Sequence, residues 1–238
     1  MKRNLIIAAA AGVAVLALIG AGGYIYFFSS LRTSPVTLGL SASPSASASS
    51  TSSTPGLAGK WSIGTGSLVG YRVQELFAGA SSKHLAVART SDVSGSLTVA
   101  GDATGYQVSG ITLTANLTSL HSVDQVAGRD VSQRDGVVTR QLAVQQFPNA
   151  TFTATSVSVP GTVTSAQVDV TAPGKLTIHG VTRDVTITAK AQVIGDRLEI
   201  AGTLTISMTD YGVSPPQAPF VTVDPTATIE FDVFLTRA

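Results

Sequence analysis

From Trp61 onward the chain alternates apolar and polar residues, and the stretch Gly174–Ala189 does so most clearly. Leu176 and Ile178 share one face of a first strand, and Val185, Ile187 and Ala189 share one face of a second, with threonines on the opposite side. This period of two is the signature of a half-buried sheet. Between the two runs His179 to Asp184 forms the break, and Gly180 supplies the positive φ that a hairpin turn often requires.

The same alternation predicts about ten runs. They are Trp61–Ile63, Ser67–Leu76, Val93–Val99, Tyr106–Leu117, Thr151–Val159, Ala166–Val170, Lys175–His179, Val185–Val193, Arg197–Met208 and Ala227–Leu235. Parity selects the inward sets. These are Val69, Tyr71 and Val73; Val93, Leu97 and Val99; Leu198, Ile200, Leu204, Ile206 and Met208; and Ile229, Phe231, Val233 and Leu235. In two runs the parity changes partway, from Tyr106 and Val108 to Ile111 and Leu113, and from Phe152 to Val157 and Val159. A change of phase means a bulge or sharp bend, and Gly110 sits at the first. Bends of this kind let a long antiparallel meander curl until its edges meet, so the pattern predicts an all-β closed barrel rather than a flat sandwich.

One segment departs from the alternation. Between Ser122 and Gln146, Val131, Val138 and Leu142 recur at helical spacing, with Ser122 or Asp124 as possible caps and Pro148 as the stop. Gly136 weakens the middle of this single predicted helix.

Ahead of the barrel the pattern is different. Leu5 to Phe28 is an unbroken apolar run, long enough to cross a hydrocarbon core of roughly 30 Å as a helix. Lys2 and Arg3 precede it, which predicts a cytoplasmic N-terminus and an extracytoplasmic remainder. The alternative is a cleaved signal peptide with Ala21-Gly22-Gly23 as its small-residue site and a secreted product. Residues 29–57 are rich in Ser, Ala, Thr and Pro and lack the apolar surface needed to fold, which predicts a flexible tether. The expected organisation is therefore an N-terminal transmembrane anchor (1–28), a disordered linker (29–57) and a β-barrel domain (58–238).

Composition narrows the chemistry. The chain of 238 residues is 44% hydrophobic and 12% charged. It holds no cysteine, which excludes disulfides, thiolate catalysis, Cys-ligated zinc and lipoprotein acylation. All 14 acidic residues follow position 58, whereas Lys2, Arg3 and Arg32 precede it, so the globular part is close to neutral without a basic run. That excludes an electrostatic footprint for nucleic acid. The three histidines, His84, His121 and His179, show no metal-ligand spacing, and no metal or cofactor is expected. His121, Ser122 and Asp124 lie together, yet no strained nucleophile turn surrounds a serine, and an enzyme is not expected.

Glu75, Arg72 and Lys83 form a charged group that fits a barrel mouth near a polar lipid head, or solvated surface charge. Glu75 shares parity with Val69, Tyr71 and Val73 and so points inward, where a carboxylate needs a partner. Arg129, Asp130, Arg134 and Asp135 can pair with it or with a pyrophosphate, or among themselves on the helix surface.

Five segments in order resemble one known family. They are Trp61-Ser-Ile; Val69-Gly-Tyr-Arg-Val-Gln-Glu75; Arg134-Asp135 ahead of Phe147-Pro-Asn-Ala-Thr-Phe152; Gly174-Lys-Leu-Thr-Ile-His-Gly-Val-Thr-Arg183; and Asp210-Tyr-Gly-Val213. Together they resemble the YceI-like domains, lipocalin-like barrels associated with polyisoprenoid lipids, over essentially all of Trp61 to Arg237. Arg129-Asp130 and Arg134-Asp135 both fit the family's Arg-Asp position. The resemblance implies an extracytoplasmic barrel whose elongated apolar cavity takes up a polyisoprenoid or quinone-like chain. The inward residues Val69, Tyr71, Val73, Glu75, Leu97, Val99, Ile206, Met208, Phe231 and Val233 are its expected lining. The alternative is a structural or protein-interaction barrel filled by its own side chains.

Overall fold

The computed structural model describes residues 32–41, 56–126 and 130–238. The apolar run Leu5–Phe28 and most of the expected linker lie outside them. No helix among the described residues is long and apolar enough to cross a membrane.

The alternating runs form strands, in chain order β1 (Arg32–Thr33), β2 (Gly59–Ile63), β3 (Leu68–Phe77), β4 (His84–Thr90), β5 (Val93–Asp102) and β6 (Gly105–Asn116). After these come β7 (His121–Ser122), β8 (Gln125–Val126), the helix α1 (Ser132–Gln141), β9 (Asn149–Pro160), β10 (Val168–Ile178) and β11 (Val181–Ile194). The chain ends with β12 (Arg197–Ser207), β13 (Gln217–Ala218) and β14 (Val221–Arg237). Antiparallel pairing runs β12-β11-β10-β9-β6-β5-β2-β14 and returns from β14 to β12, which closes a ring of eight strands. The closed barrel is therefore the observed architecture.

β14 does more than close the ring. Its far end, Leu235–Arg237, pairs with β2, while Val221–Asp232 pairs with β3 and breaks register between Val223 and Ala227. β3 leads into β4 and β7, so on this side the wall flares into a wing. The space beside the wing is occupied by α1.

Several expectations change in detail. The expected phase change at Gly110 is present, with φ of +61° there and a register shift opposite Ser96–Thr98 of β5. β6 and β9 keep one register through the bend, Ser109 opposite Ser156 and Ile111 opposite Ala154, so two neighbouring strands change phase together. The hairpin turn is tighter than His179–Asp184. It consists of His179 and Gly180, both at positive φ (52° and 74°), and β11 begins at Val181. Ala166–Val170 and Lys175–His179 merge into one strand, β10. The helix is shorter than Ser122–Gln146, and neither Ser122 nor Asp124 caps it. Ser122 belongs to β7, and the Asp130 carboxylate accepts from the Ser132 N–H at 3.0 Å just before the first turn.

β4 was not among the expected strands. Ala86, Val87 and Ala88 are all buried, so both of its faces are covered and alternation is lost.

The expected linker is not a free tether throughout. Residues 32–41 lie along the outer wall as a strap. It begins at β1, paired with β8 (Thr33 opposite Gln125), and Ser34 Oγ donates to the Leu85 carbonyl. The Arg72 guanidinium then donates to the Pro35 carbonyl, and Arg89 to the Val36 carbonyl at 2.6 Å. The Leu38 N–H donates to Glu230 at 3.1 Å, and the Ser41 N–H and hydroxyl donate to Glu199 at 2.8 and 2.7 Å. Beneath the strap Glu230 accepts from both Arg72 and Arg89 at 2.8 Å. Arg89 reaches it by crossing Gly70, whose missing side chain leaves the room: an added Cβ would lie 2.8 Å from Arg89 Cγ. Glu199 and Glu230 are fully buried, which charged groups tolerate only when paired.

A two-chambered cavity with a latched helix at its mouth

Inside the barrel the inward residues leave space. An upper chamber of about 670 Å³ lies between β3, β12, β14, α1 and the β13–β14 hairpin. A volume of this size falls in the roughly 300–1,000 Å³ range of small-molecule sites. A second chamber of about 130 Å³ lies beyond it, lined by apolar side chains from β5, β6, β9, β11 and β12 among others. Leu113, Phe152, Ile187 and Phe231 line both chambers and form the waist between them. The two phenylalanine rings rest over glycines, Phe152 on Gly174 and Phe231 on Gly202, where an added Cβ would come within 2.6 and 2.8 Å of ring carbons. Glycine at these sites lets the rings lie against the wall. At the far end Leu57, ahead of β2, and Val163, in the turn after β9, are buried and line the lower chamber.

The ten expected lining residues all face this interior. Val69, Tyr71, Val73, Glu75, Ile206 and Met208 line the upper chamber, Leu97, Val99 and Val233 the lower one, and Phe231 both. Sequence parity did not point to α1 or the β13–β14 hairpin, which supply Arg134, Val137, Val138, Ala218 and Phe220 to the upper chamber. Only the three-dimensional path brings those segments to the mouth.

The polar part of the upper chamber is built around Arg134. Its guanidinium meets Glu75 at 2.9 and 3.0 Å and Asp124 at 2.7 and 3.2 Å. Asp124 also accepts from the Val87 N–H at 3.0 Å and contacts His84 Nε2 at 2.6 Å. Burial pushes the Asp124 carboxyl up, but the hydrogen bonds from His84, Arg134 and Val87 outweigh it and hold the group well below the usual carboxylate range. Glu75 moves the other way. Its burial outweighs the pull of Arg134 and raises its carboxyl above the ordinary value. Burial likewise raises the Tyr71 and Tyr211 phenols, and the Tyr211 hydroxyl is buried without a hydrogen-bond partner.

None of the residues of α1 is fully buried. Arg134 therefore holds the helix to the wing through ion pairs, as a latch across the mouth.

The expected charged group of Glu75, Arg72 and Lys83 does not assemble. Glu75 faces in, Arg72 faces out to Glu230, and Lys83 pairs with Asp224 at the surface. Surface pairing among Asp130, Arg134 and Asp135 is replaced by the Glu75–Arg134–Asp124 chain, while Asp135 accepts from the Ser122 hydroxyl at 2.6 Å. Arg129 lies outside the described residues. His121, Ser122 and Asp124 form no triad, because Asp124 turns to His84 and Arg134 and His121 contacts the Ser119 carbonyl. His179 packs edge-on against Phe147 at the hairpin tip.

Residues 61–235 match the YceI-like domain. UPF0312 proteins from Pseudomonas putida strains F1 and KT2440 are each 37% identical over 95 residues, 37% of this chain and 47% of theirs. The chain thus spans about half the length of these curated relatives. A polyisoprenoid-binding domain from Saccharophagus degradans superposes with a TM-score of 0.53 at 16% identity, over 75% of this chain and 98% of that one. At that identity the likeness concerns the fold.

Proposed function

The chain belongs to the family of YceI-like domains, and on that premise we propose that it is a membrane-tethered, extracytoplasmic barrel that takes up an apolar chain of the polyisoprenoid or quinone type. The observation that carries this reading is the largely apolar interior, two chambers separated by the shared wall of Leu113, Phe152, Ile187 and Phe231. A filled structural barrel would have side chains in that space, since protein interiors pack without voids of this size. The apolar lining of both chambers suits a chain, and the charged lining residues Glu75, Asp130 and Arg134 belong to the upper chamber alone, where a polar head would sit. The apolar run Leu5–Phe28 behind Lys2 and Arg3 supports the tether and the sidedness. No catalytic step is proposed.

The test pairs lipid retention with stability. Organic extracts of the purified protein, analysed by mass spectrometry, should contain a long prenyl-type lipid in near-stoichiometric amount. Val73→Trp, on the upper chamber wall, should abolish retention with little loss of thermal stability, because the indole enters unfilled space. A parent that retains no lipid, together with a variant destabilised by about 1–3 kcal/mol from overpacking, would favour the filled structural barrel instead.

A further inference from the structure

The strap has a direction. Its start, Arg32–Thr33, pairs with β8, immediately ahead of the segment leading into α1 at the mouth. Its end, Ser41, is held by Glu199 and Gln192, and Glu199 pairs with Phe234 of β14, next to the strands that close the far end. The strap therefore runs from the mouth towards the closed end, with Arg32 on the mouth side. Only Ser29, Ser30 and Leu31 separate Arg32 from the end of the apolar run at Phe28. Four residue steps span at most about 14 Å. A free linker of residues 29–57 would instead average roughly 30 Å and leave the barrel unoriented.

The same end presents apolar surface. Phe220, at the tip of the β13–β14 hairpin and on the rim of the upper chamber, is 59% exposed. Pro216 and Ala218 lie beside it on the rim, with Val137 across from them on α1. Among the described residues near this rim, Lys83 is paired with Asp224 and Arg134 with Glu75 and Asp124, so neither is free for anionic headgroups.

We propose that the strap holds the barrel with its cavity mouth against the lipid bilayer, Phe220 entering the interface, so that an apolar ligand passes between bilayer and cavity without crossing water. The partner is the zwitterionic lipid surface itself. This orientation rests on the tether proposed above and adds to it which end of the barrel faces the membrane.

The test uses the full chain in vesicles of phosphatidylcholine carrying brominated acyl chains, which quench tryptophan at short range. Phe220→Trp at the rim and Asp196→Trp in the exposed far-end turn each add one indole to Trp61, which is 2% exposed. The rim indole should be quenched several-fold more than the far-end indole. Inserting about twenty Gly and Ser residues between Ser30 and Leu31 should erase that difference while the chain still floats with vesicles. Equal or reversed quenching in a chain that floats overturns the orientation and leaves the tether standing; a chain that does not float overturns both. Because the chain has no cysteine, Gln217→Cys and Asp196→Cys bearing a polarity-sensitive dye give an independent pair. The dye at position 217 should report the more apolar surroundings, and the opposite order overturns the proposal.

Discussion

Asp124 takes donors from an arginine, a histidine and a backbone amide while fully shielded from water. Removing it strands the Arg134 and His84 side chains, and Asp124→Ala should destabilise the fold by about 3–5 kcal/mol in urea unfolding. Asp232, under the strap, carries the opposite signature. Its burial and the adjacent Glu199 carboxylate raise its pKa to about 6. The folded state then holds a proton the unfolded chain has released, so stability falls as pH rises from about 4 to about 6 and levels off above. Asp232→Asn should flatten that slope and raise stability at pH 7 by about 1 kcal/mol after allowance for solvent screening, readable as Tm against pH. The sequence made part of this legible. Strand parity turned Glu75 inward, and Arg134 stood among four named partners. Asp124 was hidden because a serine or aspartate ahead of a helical pattern reads as a cap, and His84 because its strand shows no alternation.

Helix α1 and the strap are both held by charge more than by apolar packing. Loss of the latch should therefore free the helix before it harms the barrel. Arg134→Gln should raise amide exchange across Ser132–Gln141 at least tenfold relative to β10 and β11, measured by hydrogen exchange with mass spectrometry. For the strap, Ser41→Ala removes one of the three donors to the buried Glu199 carboxylate and should cost about 1 kcal/mol. Hydropathy finds neither attachment. The Ser/Ala/Thr/Pro composition of residues 29–57 predicts no core of their own, yet residues 32–41 dock through their backbone, and backbone hydrogen bonds to Arg72, Arg89 and Glu230 leave no trace in side-chain pattern. The same applies to β4, whose burial on both faces depends on elements that alternation cannot place.

Across the whole molecule, the inward parity of the strands predicted a wall but not the space it encloses. Val, Leu and Ile fill a core or line a lumen equally well. What opens the lumen is glycine under an aromatic ring, visible only once Gly202 is seen opposite Phe231. An added Cβ at Gly202 would meet the Thr188 carbonyl oxygen at 2.7 Å as well as the ring at 2.8 Å, so Gly202→Val should lower Tm and, on the proposed function, push the ring into the waist and shorten the chains retained, as mass spectrometry of extracted lipid would report.

The strand pairing also fixes a timetable. β2 holds β14 at Leu235–Arg237, and the Arg237 guanidinium sits 5.0 Å from the Trp61 ring centre. The strap, which emerges still earlier, waits for Glu230. Nearly everything that closes the barrel thus joins the first-made part of the domain to the last. Until β14 arrives, the ribosome has delivered a set of curved hairpins with open edges and an unsealed apolar face, a state prone to aggregation and slow to convert because its decisive contacts are long-range. A nascent chain stalled before Val221 should accordingly be protease-sensitive throughout, and one released after Arg237 should become resistant in a single step.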